Sequence, residues 1–259
     1  FSKEDYFSSS LSFFDQSFYV NTTLSSVTLL EHNTLISVPS LFSTIQEAID
    51  NSQSGDTIII APGEYFENLQ VTDKYITLGS NFLTSEEDSY ISNTIINGSQ
   101  SGPVILGQNY NNNSSDTLKI VGLTIKNGSD GGLCLFSGNY EINNCEIKEN
   151  IRGNGGGIAI DNSVMVIRNS KIFDNQSSTT NIRSSNGGGG IQSYNSNLKV
   201  FNSEITSNSS ISYGGGIHSY KGNNSQSELL ISNSIIKNNT QSSYGVGIAI
   251  HSTNPAIIN

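Results

Sequence analysis

Three stretches of this chain repeat nearly the same phrase. "GGGIAIDNSVMVIRNSKIFDN" spans 155–175, "GGGIQSYNSNLKVFNSEITSN" spans 188–208, and "GGGIHSYKGNNSQSELLISNSIIKNN" begins at Gly214. The first apolar residues after each glycine run are Leu133, Ile158, Ile191, Ile217 and Ile248, spaced by 25, 33, 26 and 31 residues. The anchors of the second half of the phrase, Ile142, Ile167, Val200 and Ile231, are spaced by 25, 33 and 31. The two series keep step while the connections vary in length, as stacked structural units with unequal loops require. Within a unit the apolar residues alternate, as in Ile158/Ile160 and Val164/Val166, which is the period of a strand.

One such unit cannot bury its inner face alone. Short strands in coils of about 25 to 33 residues, all running the same way and stacked at about 4.8 Å, predict an all-β, right-handed parallel β-helix solenoid. Glycine permits positive φ and close backbone approach where the chain enters a strand. Asn127, Asn150, Asn175, Asn208 and Asn239 end equivalent phrases. They predict an amide ladder at a sharp turn, helped by the tolerance of Asn for left-handed backbone. The Gly and Asn of the repeat are therefore read as architecture.

Composition excludes several classes. Charged residues make up 13% of the 259, the net charge is −10, and the arginines are Arg152, Arg168 and Arg183. With no basic patch, nucleic acid is not an expected partner. No apolar run approaches the roughly 18 residues of a membrane span. Met165 is the one methionine, so Phe1 is not an encoded start, and either a removed signal or a fragment is expected. Cys134 and Cys145 match no metal spacing; a bridge and two idle thiols both remain open. The Asn-Xaa-Ser/Thr sites are what a chain this rich in Asn, Ser and Thr produces by chance.

The phrase GGGI…IxxN is similar to the GGA(I/L/V)…FxxN repeats of polymorphic outer membrane proteins, with Gly in place of Ala and Ile in place of Phe. More broadly it resembles secreted right-handed β-helix proteins of pectin-lyase-like fold, over residues 41–259. The front of the chain, "LFSTIQEAIDNSQSGDTIIIAPGEYFENLQV", resembles the start of pectinesterases, where a helix and a strand precede G-x-Y-x-E, here Gly63 to Glu67. In that segment Ser43 and Gln46 form a capping box. Ile45, Ala48 and Ile49 form one helical face, predicting a capping helix near Thr44 to Asn51 and a β-helix from about Thr57. No helical period is seen after residue 52. Residues 1–38, rich in Phe and Tyr, are read as a separate cap or docking segment before a β-helix over 39–259.

The resemblance raises catalysis as a question. Pectinesterases carry Q-A-V-A-L, D-F-I-F-G and R-P-W type segments, and polygalacturonases carry N-x-D, D-D and R-I-K. Neither set has a counterpart here. Calcium, the cofactor of pectate lyases, finds no supporting carboxylate set, and no cofactor or metal is expected. In the strand after each glycine run the second and fourth residues point outward. The first outward column is Cys134, Ala159, Gln192, His218, Ala249. The next is Phe136, Asp161, Tyr194, Tyr220, His251. Tyr194, Tyr220 and His251, with Gln192, His218 and Asp161 beside them, form a polar–aromatic stripe expected to face solvent and suited to sugars. Stacked aromatics that only hold a solenoid together are the competing reading.

The expected function is a non-catalytic extracellular or cell-surface protein, structural or adhesive, with polysaccharide as a partner. The alternative is a polysaccharide lyase or hydrolase of the same fold. The chain stops at "STNPAIIN", where a coil begins, and an open coil end is a template for further pairing. Either the encoded chain continues or a second copy supplies the cover. Phe13, Phe14, Phe18 and Tyr19 are the residues expected to dock there, head to tail.

Overall fold

The computed structural model describes residues 34–109, 116–178, 187–222, 227–241, 244–251 and 257–258. Phe13, Phe14, Phe18 and Tyr19 lie outside the described residues. The described chain is a parallel β-helix. In each coil it passes through three sheets in turn. Sheet 1 has nine strands from Leu35–Val38 to Ile257–Ile258, sheet 2 has seven from Gly63–Phe66 to Ile235–Lys237, and sheet 3 has seven from Leu69–Thr72 to Ile248–His251. A ribbon of four two-residue strands, starting at Ile151–Arg152, lies between sheets 2 and 3 in chain order. All pairings are parallel, and the register is the one the sequence spacing requires: Leu133, Ile158, Ile191, Ile217 and Ile248 are successive partners. So are Ile142, Ile167, Val200 and Ile231.

The core is a set of axial columns. Ile96, Ile125, Ile147, Ile172 and Ile205 line sheet 2 from within, each fully buried. Each such isoleucine contributes about 1.5–3 kcal/mol of burial, and the β-branched side chain fits a pleated surface.

The turns are held by polar ladders. Asn150 Nδ2 donates to Asn175 Oδ1 at 3.0 Å, Asn175 to Asn208 at 3.0 Å, and Asn208 to Asn239 at 3.1 Å. The same oxygens accept the backbone N–H of the asparagine one coil earlier, at 3.0–3.1 Å. Each amide also donates to a carbonyl of the coil before it, as Asn175 does to Ile147 O at 2.9 Å. The glycine run is the counterpart of this ladder. A Cβ on Gly157 would lie 2.9 Å from Asn175 Nδ2 and 2.7 Å from Gly190 O, and one on Gly190 would meet Asn208 in the same way. The repeated glycines and the repeated asparagines therefore touch, coil against coil.

The expected register of the ladder needs one correction. Asn127 is not a rung: Gly128 takes that place, its N–H donating to Asn150 Oδ1 at 2.8 Å. Asn127 holds the left-handed position just before the rung, φ 59°, as do Glu149, Asp174, Ser207 and Asn238 in later coils. A second ladder follows the other corner. In the Asn-Ser pairs at 169–170, 202–203 and 233–234 the asparagine is left-handed. The serine then accepts a backbone N–H from the previous coil, Cys145 to Ser170 at 3.1 Å and Ser170 to Ser203 at 3.2 Å. The abundance of Asn and Ser is thus consumed at corners.

At the front, α1 (Ile45–Asn51) buries Ile45, Ala48 and Ile49. Its N-cap is Thr44, which accepts from Glu47 N at 3.1 Å, one residue later than the Ser43–Gln46 box expected. Gln46 instead bridges to the edge strand at Gln70, and the carboxylate of Glu67 accepts the N–H groups of Ile45 and Gln46, each at 2.9 Å. The Glu of the G-x-Y-x-E phrase is here a helix cap. The β-helix also begins earlier than Thr57. Leu35–Val38 pairs with Thr57–Ile60 because Ile36 and Val38 alternate into the core. Two helices shorter than a periodicity can reveal, α2 (Phe82–Ser85) and α3 (Ser89–Asn93), sit in the connection between the sheet 1 strand Thr77–Ser80 and the sheet 2 strand Thr94–Asn97.

Asn175→Ala removes an amide with bonds to three oxygens and strands the Asn150 N–H. A buried group left unpaired costs about 1–3 kcal/mol, so urea unfolding should show a loss of several kcal/mol. Asn127→Ala should lose only about 1–2 kcal/mol, the left-handed backbone penalty.

Candidate functional site

Sheet 3 presents the aromatic column. Phe136, Asp161, Tyr194, Tyr220 and His251 are partners across successive strands, all half-buried. The rings of Tyr194 and Tyr220 are parallel within 5° with centroids 5.4 Å apart. Their faces are largely turned to each other, so this pair offers a ligand mainly ring edges and hydroxyls. Burial pushes the Asp161 carboxyl upward, against a lowering bond from the Asn162 backbone, and the Asn162 side-chain amide also donates to it at 2.8 Å.

The other outward column is not a surface. Cys134, Ala159, Gln192, His218 and Ala249 all point away from the inward stack but are buried, His218 at 0% and Gln192 at 9% exposure. The segment entering each strand folds back across it. A Cβ on Gly155 would meet Ala159 Cβ at 2.8 Å, and one on Gly187 would meet His218 Nδ1 at 3.0 Å. Gln192 and His218 are therefore covered rather than presented, because strand alternation says which face a side chain takes and not what lies over it.

The cover of His218 is aromatic. Tyr213 stacks on it at 5.5 Å and meets His251 edge-on at 4.7 Å, and Tyr244 stacks on Tyr213 at 5.6 Å. His218 Nε2 lies 3.1 Å from His251 Nδ1, so the two rings share one N–H between them. Among the described residues His218 Nδ1 has no hydrogen-bond partner. Burial, reinforced by His251, pushes His218 down to about 4, which keeps it neutral at pH 7. Sequence reasoning missed Tyr213 and Tyr244. The signal was a tyrosine directly before the glycine run, in "SYGGG" and "SYGVG".

What this cluster can do is limited. Cys134 and Cys145 are free and buried, their thiols pushed up to about 11 and about 12 by burial, so neither is a thiolate. Among the described residues no group of three His, Cys, Asp or Glu could hold a metal ion. On the outer face of sheet 1, Arg168 lies over the Phe201 ring at 4.6 Å, and on sheet 2 Lys148 lies over Phe173 at 5.4 Å. These outward side chains engage the neighbouring coil.

Residues 109–259 match the family model described as "Right handed beta helix region". The chain belongs to that family. No curated protein matches it. Among solved structures it is similar to the Escherichia coli protein YbhC, at 16% identity over 89% of this chain and 78% of that one, with a TM-score of 0.44. It is also similar to a pectin methylesterase from Aspergillus niger, at 13% identity over 90% and 93%, with a TM-score of 0.38. No helix among the described residues is long and apolar enough to cross a membrane.

His218 gives this right-handed β-helix a pH dependence of stability. Its folded pKa lies below the ordinary 6.5, so its neutral form stabilises the fold above pH 6.5, and that contribution is lost as pH falls toward 4. The full loss is on the order of 3 kcal/mol. Urea midpoints between pH 7 and 4, read by tyrosine near-UV dichroism, should fall across that window. The slope should flatten in His218→Gln.

Proposed function

We propose that the chain is a non-catalytic extracellular or cell-surface scaffold that contacts polysaccharide along sheet 3. The observation that carries the reading is the pairing of outward side chains along the axis. Tyr194 on Tyr220, Arg168 on Phe201 and Lys148 on Phe173 bind coil to coil, instead of converging on one point as acid, base and nucleophile must. Among the described residues, the ring and hydrogen-bond contacts of His218 and His251 are each other, Tyr213 and Tyr220, with no carboxylate among them. A polysaccharide would meet the hydroxyls of Tyr194 and Tyr220 and the ring of His251, with the Asp161 carboxyl at the next position of the column.

Head-to-tail association is a second reading, favoured by apolar exposure at the last described coils. Ile235 is 46% exposed, Val246 53% and Ile250 40%. Exposed apolar surface of this kind suits contact with another chain. The segment of a second copy ahead of Leu35–Val38, with Phe13, Phe14, Phe18 and Tyr19, is the proposed occupant; Leu35–Val38 itself is paired within sheet 1.

Co-sedimentation with insoluble polysaccharides tests the first reading. The wild type should pellet with at least one polymer, and Tyr194→Phe with Tyr220→Phe, which keeps the stack and removes the hydroxyls, should reduce the bound fraction severalfold. Release of reducing or unsaturated sugar should stay at background with or without Ca²⁺. Steady turnover that disappears in His218→Ala would favour the lyase or hydrolase alternative. Native mass spectrometry should show oligomers if the second reading holds.

A further inference from the structure

A trench of about 380 Å³ runs along the corner between sheets 1 and 2, on a different face from the aromatic column. The same two positions of three successive coils build it. Asn144, Asn169 and Asn202 form one side, and Glu146, Lys171 and Glu204, in strand register with one another, form the other. Its closed end is the insertion that carries α3. Thr124, which precedes Glu146 in the same outward column, is buried beneath α3 and donates to Ile91 O at 2.7 Å. Past α3 the column is unroofed, and Asp88 and Ser92 of the insertion face the opening.

We propose that this trench binds a short stretch of extended, uncharged polysaccharide, a site separate from the aromatic column. The first argument is spacing. The rungs repeat at the coil distance of about 4.8 Å, whereas an extended peptide repeats every two residues, at roughly 6.4–6.8 Å, and falls out of register. The second is donor and acceptor supply. Asn202 donates to Asn169 Oδ1 at 3.4 Å, and Asn169 to Asn143 Oδ1 at 3.1 Å and Asn144 Oδ1 at 3.4 Å. An amide has two N–H groups and two lone pairs, so Asn144 and Asn202 keep both kinds of group for ligand hydroxyls, while Asn169, whose N–H groups go to Asn143 and Asn144, keeps an acceptor. The third is charge. Asp88, Glu146 and Glu204 stand against Lys171, which is already 3.5 Å from Glu146. Even with Lys148 also 3.5 Å from Glu146, three carboxylates against two ammoniums leave the trench net negative, which repels a polyanion. Among the described residues no aromatic ring lines the trench, so recognition rests on hydrogen bonds to hydroxyls.

The asparagines hold left-handed backbone, φ 49° at Asn169 and 50° at Asn202, so alanine would strain the turn. Glycine tolerates it, and Gly122 already occupies the equivalent turn position one coil before Asn144. Isothermal titration of the full chain with cellohexaose, mannohexaose, xylohexaose and hexagalacturonate therefore compares the wild type with Asn169→Gly/Asn202→Gly and with Tyr194→Ala/Tyr220→Ala. At least one neutral hexaose should saturate the wild type. The asparagine pair should weaken the tightest binding event at least tenfold without changing the far-UV spectrum, whereas the tyrosine pair should remove only a separate event at sheet 3. The proposal is overturned if no neutral hexaose saturates, if hexagalacturonate binds more tightly, or if the asparagine pair binds as the wild type does. Binding lost only in the tyrosine pair would also overturn it while leaving the sheet 3 reading intact.

Discussion

The amide of one coil resting on the glycine of its neighbour is the contact on which the structure depends. A parallel stack of short strands has no hairpins to set its register, and a slip of one residue would turn every inward isoleucine outward. The buried asparagines 150, 175, 208 and 239 prevent the slip. Each occupies a site that only glycine leaves open and binds a carbonyl of the coil below, and Asn150, Asn175 and Asn208 also bind the rung above. The inward columns supply the bulk of the burial energy, and the ladder decides which of several equally apolar registers is adopted. Buried polar networks give this kind of specificity only when every member is satisfied, as these are.

The same economy shapes the surface. With corners closed by Asn and Ser, little charge is needed for structure, and the few ion pairs are short local links such as Arg152–Asp130 at 3.1 Å. Outward residues are then free to repeat along the axis. A repeated surface can meet a repeated ligand or another copy of the same chain, whereas a point-like reaction centre requires the repeat to be broken. The break in this chain is the aromatic cover of His218, where Tyr213 and Tyr244 close over two imidazoles. That arrangement buries a titratable group rather than exposing one.

Much of the fold was legible in the sequence. In-step spacing of Leu133 to Ile248 and of Ile142 to Ile231 specified the coils, the strands and the register, because stacked strands tolerate length changes only in their connections. Residues with two roles were harder to place. Asn serves both as a rung and as a left-handed turn residue, so Asn127 and Asn150 looked equivalent although they are one position apart. Thr44 and Ser43 are chemically alike, which moved the helix cap by one. α2 and α3 are too short to show a period. For the site, alternation correctly placed Tyr194, Tyr220 and His251 in one outward column. It could not show that the incoming loops bury Gln192 and His218, since cover depends on non-local backbone. Tyr213 and Tyr244 were overlooked for the same reason.

Residue-resolved hydrogen exchange of the native protein tests the ladder most directly. The backbone amides of Asn150, Asn175 and Asn208 lie at turns yet donate to buried side-chain oxygens of the next coil. If those contacts fix the register, these amides are protected as strongly as Ile147, Ile172 and Ile205 in sheet 2, and they exchange only with global unfolding. Exchange at the rate of exposed loops, with the sheet 2 amides still protected, would contradict the account.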